Sequence, residues 1–347
     1  MKTNEIFDSL TKNAIDFIDS AISEIKTKPK YSAINFYTAV ELFIKARLLK
    51  EHWSLIFVKP ENAEVEKFLK GDFQSVGLDD TVKRLQYISG EMLTDNQLHS
   101  FHSIREHRNK LIHFYNAPYL GSPKKEAILE VISEQCKAWF YLHDLLAVRW
   151  QQTFINYKDE ISRLDKLMHS YHEYWEAKLI ILKPTFNDRL SNGGILVNCL
   201  CCCMESAIEK KSLGILIHHA CPVCEFDITY ISVSCPICND DIAVYIGLSG
   251  AFCFKCQKDT IQMEDLKNII LENQNCLNAS CSCCGGNETV IPLDNMWLCL
   301  SCFVVQESIS QCPWCSQRIT GDSSGSYLDG CTQCDGRLGQ LTNKGKK

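Results

Sequence analysis

Cys235-Pro236-Ile237-Cys238 is followed, after a gap of 14 residues, by Cys253-Phe254-Lys255-Cys256. Two residues between cysteines let one tight turn aim both sulfurs at a single ion. Two such knuckles about 15–20 residues apart have the spacing of a four-cysteine zinc site. The same pairing occurs four times along the chain. It joins Cys199/Cys202 to Cys221/Cys224, Cys235/Cys238 to Cys253/Cys256, Cys281/Cys284 to Cys299/Cys302, and Cys312/Cys315 to Cys331/Cys334, with gaps of 18, 14, 14 and 15 residues. That regularity is an internal repeat. Pro222, Pro236 and Pro313 recur inside the knuckles, and β-type segments at 242–246 and 289–292 supply hairpins.

The repeat resembles zinc ribbons, with Cys-Pro-Ile-Cys opening a module and Phe252-Cys-Phe-Lys-Cys or Trp297-Leu-Cys-Leu-Ser-Cys closing one. We therefore expect residues 196–347 to form an array of about four small β-rich zinc ribbons. About four structural Zn²⁺ ions should be held by the sixteen cysteines of the eight pairs. Redox chemistry is the rival use of a Cys-x-x-Cys pair, but one enzyme needs one pair, not eight. Iron–sulfur motifs cluster three cysteines tightly, and only the run from Cys199 to Cys203 hints at that. A RING-type ligase is disfavoured because no histidine falls at a ligand position between the pairs. His218 and His219 precede Cys221 and are alternative ligands to a thiolate, with surface or packing roles the favoured reading. Cys201, Cys203, Cys276 and Cys283 are spare, and Cys201 is an alternative ligand to Cys202.

Outward from the array the composition changes sharply. Of 21 cysteines in 347 residues, only Cys136 precedes residue 199. Residues 1–150 carry 20 basic and 20 acidic side chains, residues 151–195 carry 6 and 6, and residues 196–347 carry 10 and 16. Four Zn(Cys)₄ sites would each add −2, taking the array to about −14. Phosphate binding needs the opposite sign, so the array reads as an arm for a protein partner or for regulation. Hydrophobic residues at 46% and charged residues at 22% exclude wholesale disorder. No apolar run approaches a membrane span of about 20 residues, so no membrane association is expected. Met1-Lys2-Thr3-Asn4-Glu5 lacks the start of a secretory signal. We expect a cytoplasmic protein with reduced cysteines.

The first half has helical periodicity. Apolar residues at Ile6, Leu10, Ala14, Phe17, Ala21 and Ile25 define a helix over 5–26, with Pro29 as its stop. Residues 31–52 are apolar nearly all round, the mark of a central buried helix. Their polar exceptions, Asn35, Thr38, Glu41 and Lys45, make one stripe, read as solvent-facing. Further helices are expected at 61–70, 78–89 (Asp79 or Asp80 as N-cap), 95–115, 124–150 and 157–177. The fold class is multidomain: an all-α helical bundle at 1–150, a helical extension and connector at 151–195, then the ribbon repeats at 196–347.

One helix carries Arg108-Asn109-Lys110-Leu111-Ile112-His113. Its apolar stripe runs Leu98, Phe101, Ile104, Leu111, and at 100° per residue Arg108 falls in the middle of it. A buried arginine is costly unless paired, so it faces a carboxylate such as Glu41 or Glu106, an interface, or a ligand. Asn109, His102 and His113 lie beside the stripe, within about 40° of one another. A second Arg–His spacing, Arg47 to His52, has Leu48 where a polar residue belongs and reads as coincidence.

Arg-Asn-x-x-x-His late in a small helical bundle resembles the HEPN superfamily, as does Tyr37-Thr38-Ala39-Val40-Glu41-Leu42-Phe43-Ile44-Lys45-Ala46-Arg47. The resemblance covers roughly residues 5–150. It implies a metal-independent endoribonuclease acting as a homodimer, of the kind found in toxin–antitoxin and phage-defence systems, with Arg108, Asn109 and His113 as catalytic residues and RNA as substrate. The residue types suit that chemistry. RNA supplies its own 2′-hydroxyl nucleophile, imidazole moves protons near neutral pH, and guanidinium stabilises the extra charge of the phosphorane. Arg108 and His113 stand about 140° apart on an ideal helix, so one subunit does not easily present both to one phosphate; a dimer, or fraying at the helix end, would solve this. The alternative is a non-catalytic dimeric adaptor whose ribbons recruit a partner. A transcription-linked ribbon protein is a weaker third reading.

Overall fold

The computed structural model describes residues 3–113, 125–191, 193–246, 250–253, 255–271 and 278–344. The chain divides into two compact units, Met1–Pro184 and Thr185–Lys347.

The first unit is all helical. Its α-helices are α1 (Thr3–Glu24), α2 (Pro29–Leu49), α3 (Val65–Lys70), α4 (Leu78–Ser89), α5 (Asp95–His113), α6 (Lys125–Asp144), α7 (Lys158–Met168) and α8 (His172–Leu182). α2 is the central helix, packed against α1, α4, α5 and α6. Phe36, Val40, Phe43, Ile44 and Leu48 are buried on it, as its all-round apolar sequence requires. Pro29 does not merely stop α1. It occupies the first turn of α2, where a missing N–H costs nothing and the fixed φ suits a helix. The stripe Asn35, Thr38, Glu41 and Lys45 is half-buried rather than solvent-facing. Its Lys45 reaches Ser75 Oγ at 3.2 Å.

Three further details differ from the periodicity. Residues 157–177 form parts of two helices, α7 and α8, broken at Ser170–Tyr171. Both enter the same core as α2 through Ile161, Leu164, Met168, Tyr174 and Ala177. The stretch after Asp144 widens into a π-turn, Leu145–Arg149. Asp79 and Asp80 are not caps, since Gly77 precedes α4 without a side-chain cap. Cys136 is buried in the core, where it packs as a small apolar side chain.

The second unit opens with α9 (Phe186–Leu190) and is otherwise built from short strands: β1 (Ile195–Asn198), β2 (Glu205–Ser212), β3 (Leu216–Ala220), β4 (Asp227–Ser234), β5 (Asp241–Tyr245), β6 (Gly250–Cys253), β7 (Lys258–Gln262), β8 (Val290–Leu293), β9 (Met296–Cys299), β10 (Val305–Gln306), β11 (Ile309–Gln311) and β12 (Arg318–Thr320). Three small helices complete it, α10 (Met263–Ile270), α11 (Ser326–Asp329) and α12 (Gly336–Lys344). β1 to β5 make one antiparallel meander in sequence order, β8 to β10 a three-stranded sheet, and β6–β7 and β11–β12 two hairpins.

The modules are not separate beads. β4 leaves the Cys221/Cys224 knuckle and enters the Cys235/Cys238 knuckle, so the first two modules share a strand. Ile231, Val233, Ile242, Val244, Leu266, Ile291 and Leu298 form one apolar cluster across the second and third modules. Ser280 N–H donates to Arg318 O at 2.8 Å and Thr320 N–H to Ser280 O at 3.1 Å, tying the third module to the fourth.

Candidate metal centres and the Arg108 cluster

Each knuckle is a tight turn, and six of the eight stand at the end of a strand, the exceptions being Cys281/Cys284 after isolated bridges at Ala279 and Ser280 and Cys331/Cys334 after α11. In seven of the eight, the N–H of the fifth residue donates to the carbonyl of the first cysteine at 2.8–3.0 Å, as Asn239 does to Cys235 and Phe303 to Cys299. That fifth residue is left-handed: Cys203 (φ 60°), Glu225 (62°), Asn239 (59°), Gln257 (57°), Gly285 (71°), Phe303 (58°) and Ser316 (64°). Gly285 adopts this conformation without strain, and Asn239 tolerates it better than the other five. A side chain there costs about 1 kcal/mol or more and persists when its surroundings fix it. Two sulfurs held on one ion would supply that constraint. The eighth knuckle, Cys331/Cys334, uses glycines at Gly330 (φ 87°) and Gly336 (φ 64°). A Cβ on Gly330 would stand 2.0 Å from Cys334 O, so no other residue fits.

These turns converge the cysteines into four groups, Cys199/Cys202/Cys221/Cys224, Cys235/Cys238/Cys253/Cys256, Cys281/Cys284/Cys299/Cys302 and Cys312/Cys315/Cys331/Cys334. Within each group all sulfurs lie within 4.8 Å of one another. Cross-knuckle Sγ–Sγ distances are 3.5 Å (Cys199–Cys224), 3.8 Å (Cys202–Cys221), 3.8 Å (Cys235–Cys256), 3.5 Å (Cys238–Cys253), 3.7 Å (Cys281–Cys302), 3.7 Å (Cys284–Cys299), 3.8 Å (Cys312–Cys334) and 3.6 Å (Cys315–Cys331). A disulfide needs about 2.05 Å. A tetrahedron with metal–sulfur bonds of about 2.3 Å has edges of about 3.8 Å. The donor set therefore fits a tetrahedral thiophilic ion.

Polar groups favour thiolate at one sulfur of each group, Cys221, Cys235, Cys299 and Cys312, whereas burial pushes up neighbours such as Cys199, Cys284 and Cys331. Burial pushes the Cys235 thiol up, but the backbone N–H groups of Cys238 and Ile237 outweigh it and bring it down to about 6. Burial likewise opposes Cys312, which the Cys315 N–H and the Ser326 hydroxyl bring down to about 6. Ser206 Oγ lies 3.1 Å from Cys221 Sγ and Thr289 Oγ1 3.3 Å from Cys299 Sγ, the outer-layer hydrogen bonding that orients metal ligands.

The spare residues separate cleanly. Cys202 is buried in the first group, whereas Cys201, Cys203 and Cys283 are exposed and outside every group. Cys276 lies outside the described residues. His218 pairs with Asp227 at 2.9 Å. His219 is fully buried under the first knuckle, where Nδ1 meets Glu209 at 2.9 Å and Nε2 accepts from Leu200 N–H at 3.4 Å. Neither is placed as a ligand.

In the helical unit, α5 carries Arg108 half-buried on its inner side. Nη1 donates to Asn109 Oδ1 at 2.9 Å, the guanidinium carbon stands 5.6 Å from the Tyr37 ring centre, and Nε is buried with no hydrogen-bond partner. Among the described residues no carboxylate pairs with Arg108, neither Glu41 nor Glu106. Asp79, on α4, is taken by Arg105 and His102, each at 2.7 Å. His102 thus belongs to Asp79 and not to a cluster with Asn109. Burial pushes the Tyr37 hydroxyl up, so it remains a neutral ring against the cation. His113 is the last residue of α5, and its side chain lies outside the described residues.

The coincidental pair also has a structural account. Arg47 bridges Glu51 at 2.6 Å and Glu91, and Glu91 also accepts from Trp150. His52 caps a short 3₁₀ turn by accepting from Ser54 N–H at 3.3 Å. Among the described residues no helix is long and apolar enough to cross a membrane. No family model, curated protein or solved structure matches the chain.

Proposed function

We propose that the helical unit is a HEPN-type, metal-independent endoribonuclease, and that the cysteine-rich unit is a structural zinc arm that recruits or senses a protein partner. The observation that carries the first part is Arg108, a half-buried cation with an unpartnered Nε, no carboxylate paired with it among the described residues, and Asn109 holding its Nη1. An unpaired cation in a helix interface is costly unless it serves an anion that arrives later. A scissile phosphate is such an anion.

In this reading Arg108 stabilises the phosphorane's added charge. Asn109 holds the guanidinium or a phosphate oxygen. His113 accepts the 2′-hydroxyl proton and returns a proton to the leaving 5′-oxygen. A homodimer brings the His113 of one subunit to the Arg108 of the other. The role of such an enzyme would be in a toxin or phage-defence system of the cytoplasm.

The sixteen cysteines would hold four Zn²⁺ ions, which supply folding energy and not catalysis. Formal charge on the arm keeps nucleic acid away and leaves it to a protein partner. The test is cleavage of RNA in the presence of chelator, against the same strand with every 2′-hydroxyl replaced by hydrogen. Cleavage restricted to the ribose strand supports the reading, and cleavage of both strands would defeat it.

A further inference from the structure

Another polar cluster of the helical unit, remote in role from Arg108, stands beside a cavity. Asp165 on α7 is buried. Its Oδ1 accepts from Trp139 Nε1 at 2.8 Å and from the Tyr174 hydroxyl at 3.1 Å, and His169 Nε2 lies 3.4 Å from Oδ2. Burial alone would push this carboxyl up, but the donors outweigh it and hold it down at about 2. It is an anion at any physiological pH, fixed in place by the core.

His143 on α6 meets that anion, with Nδ1 3.9 Å from Asp165 Oδ1. The same imidazole lines a cavity of about 210 Å³. Asp165 therefore places a negative charge on the Nδ1 side of the ring. The cavity floor is apolar: Leu146, Phe154 and Ile161, all buried. Lys158, exposed, stands at its mouth, and among the described residues no carboxylate lines it.

Leu146 and Ala147 line the cavity from the π-turn Leu145–Arg149, which is closed by Trp150 N–H donating to Leu145 O at 2.7 Å. A π-turn inserts one extra residue into a helix and is concentrated at functional sites. Size and charge then narrow the occupant. A cavity of about 150 Å³ holds benzene, so this one has room for a single ring and a small polar group. The polar wall offers the Lys158 ammonium and the His143 imidazole, with Gln151 and Ser162 beside them, a set that suits an anion.

We propose that this cavity binds a small aromatic monocarboxylate, its ring against Leu146, Phe154 and Ile161 and its carboxylate at His143 and Lys158. The site is independent of the ribonuclease reading.

The experiment is a titration of the full-length protein with sodium benzoate. The readout is the nuclear magnetic resonance signal of the histidine rings, with the His143 signal assigned by its loss in His143→Gln. Saturable movement of that signal in the millimolar range is expected. Binding should weaken by about tenfold in Lys158→Met. It should vanish in Ala147→Phe, which fills the cavity, or in Ser162→Trp at its mouth should the first variant not fold. Absence of a saturable shift through the millimolar range would overturn the proposal. So would equal affinity for benzyl alcohol, which has the ring without the charge, or binding undiminished in both filled-cavity variants.

Discussion

Cys224 and Cys235 stand at opposite ends of the same element: one knuckle feeds β4 and the other receives it, yet the two residues belong to different sulfur groups. The first two centres are thereby joined through eight residues of paired strand, bonded to β3 on one side and β5 on the other. Disorder at one end of β4 should spread to the other.

Replacing Cys221 and Cys224 together by serine should therefore cost two metal ions and not one. Metal content after dialysis of the purified variant measures it. Loss of a single ion would mean that the modules fold independently despite the shared strand.

Wild-type protein should carry four zinc ions per chain. Exhaustive chelation should unfold the cysteine-rich unit, because its apolar clusters are small. It should leave the helical unit folded on its own core of Phe36, Phe43, Leu85 and Trp139. Far-ultraviolet circular dichroism would then retain the helical signal. Two ions or fewer in fully loaded protein would break the pairing scheme.

Asp165 gives the helical unit an acid-side dependence. Its folded value of about 2 lies below the ordinary 3.8. The stabilisation is then fully present above pH 4 and is lost as pH falls toward 2, because the unfolded chain takes up the proton first. The difference amounts to about 2 kcal/mol. Denaturant midpoints of residues 1–184 between pH 5 and 2 should show this slope, and Asp165→Asn should flatten it. An unchanged slope in the variant would assign acid sensitivity elsewhere.

Much of this arrangement was readable in the chain, for physical reasons that differ between the halves. Cysteine spacing is rigid information, since the turn between Cys235 and Cys238 admits few geometries, and the pairs fell together as their gaps implied. The left-handed fifth residue was hidden, because Glu225, Gln257 and Phe303 are poor φ > 0 formers and only Gly285 advertises the conformation. The shared strand was hidden as well: cysteine spacing marks the knuckles and says nothing of Asp227–Ser234 between them, which is a strand common to both modules. In the helices, the apolar periodicity located α2 and α5. It could not show that Asp79, twenty-three positions before His102, would claim that histidine and Arg105, for periodicity carries no tertiary partner. Nor does it carry the break between α7 and α8, where both halves keep the same apolar spacing.

The acidic arm leads to a further expectation. Residues 196–347, loaded with zinc, should bind neither RNA nor DNA appreciably at physiological salt. A gel-shift titration measures this. Tight, salt-sensitive retention would remove the basis for a protein partner at the arm.

Arg108 carries the functional reading, so the most direct measurement is RNA cleavage by the full-length protein, freed of any bound inhibitor and assayed with chelator. Wild type should yield 2′,3′-cyclic phosphate and 5′-hydroxyl ends. Arg108→Ala and His113→Ala should each lose about 10²-fold or more, with Asn109→Ala losing less, and all three should remain folded. Cleavage by a variant lacking both Arg108 and His113 at the wild-type rate, or no cleavage by an inhibitor-free wild-type dimer, would contradict it.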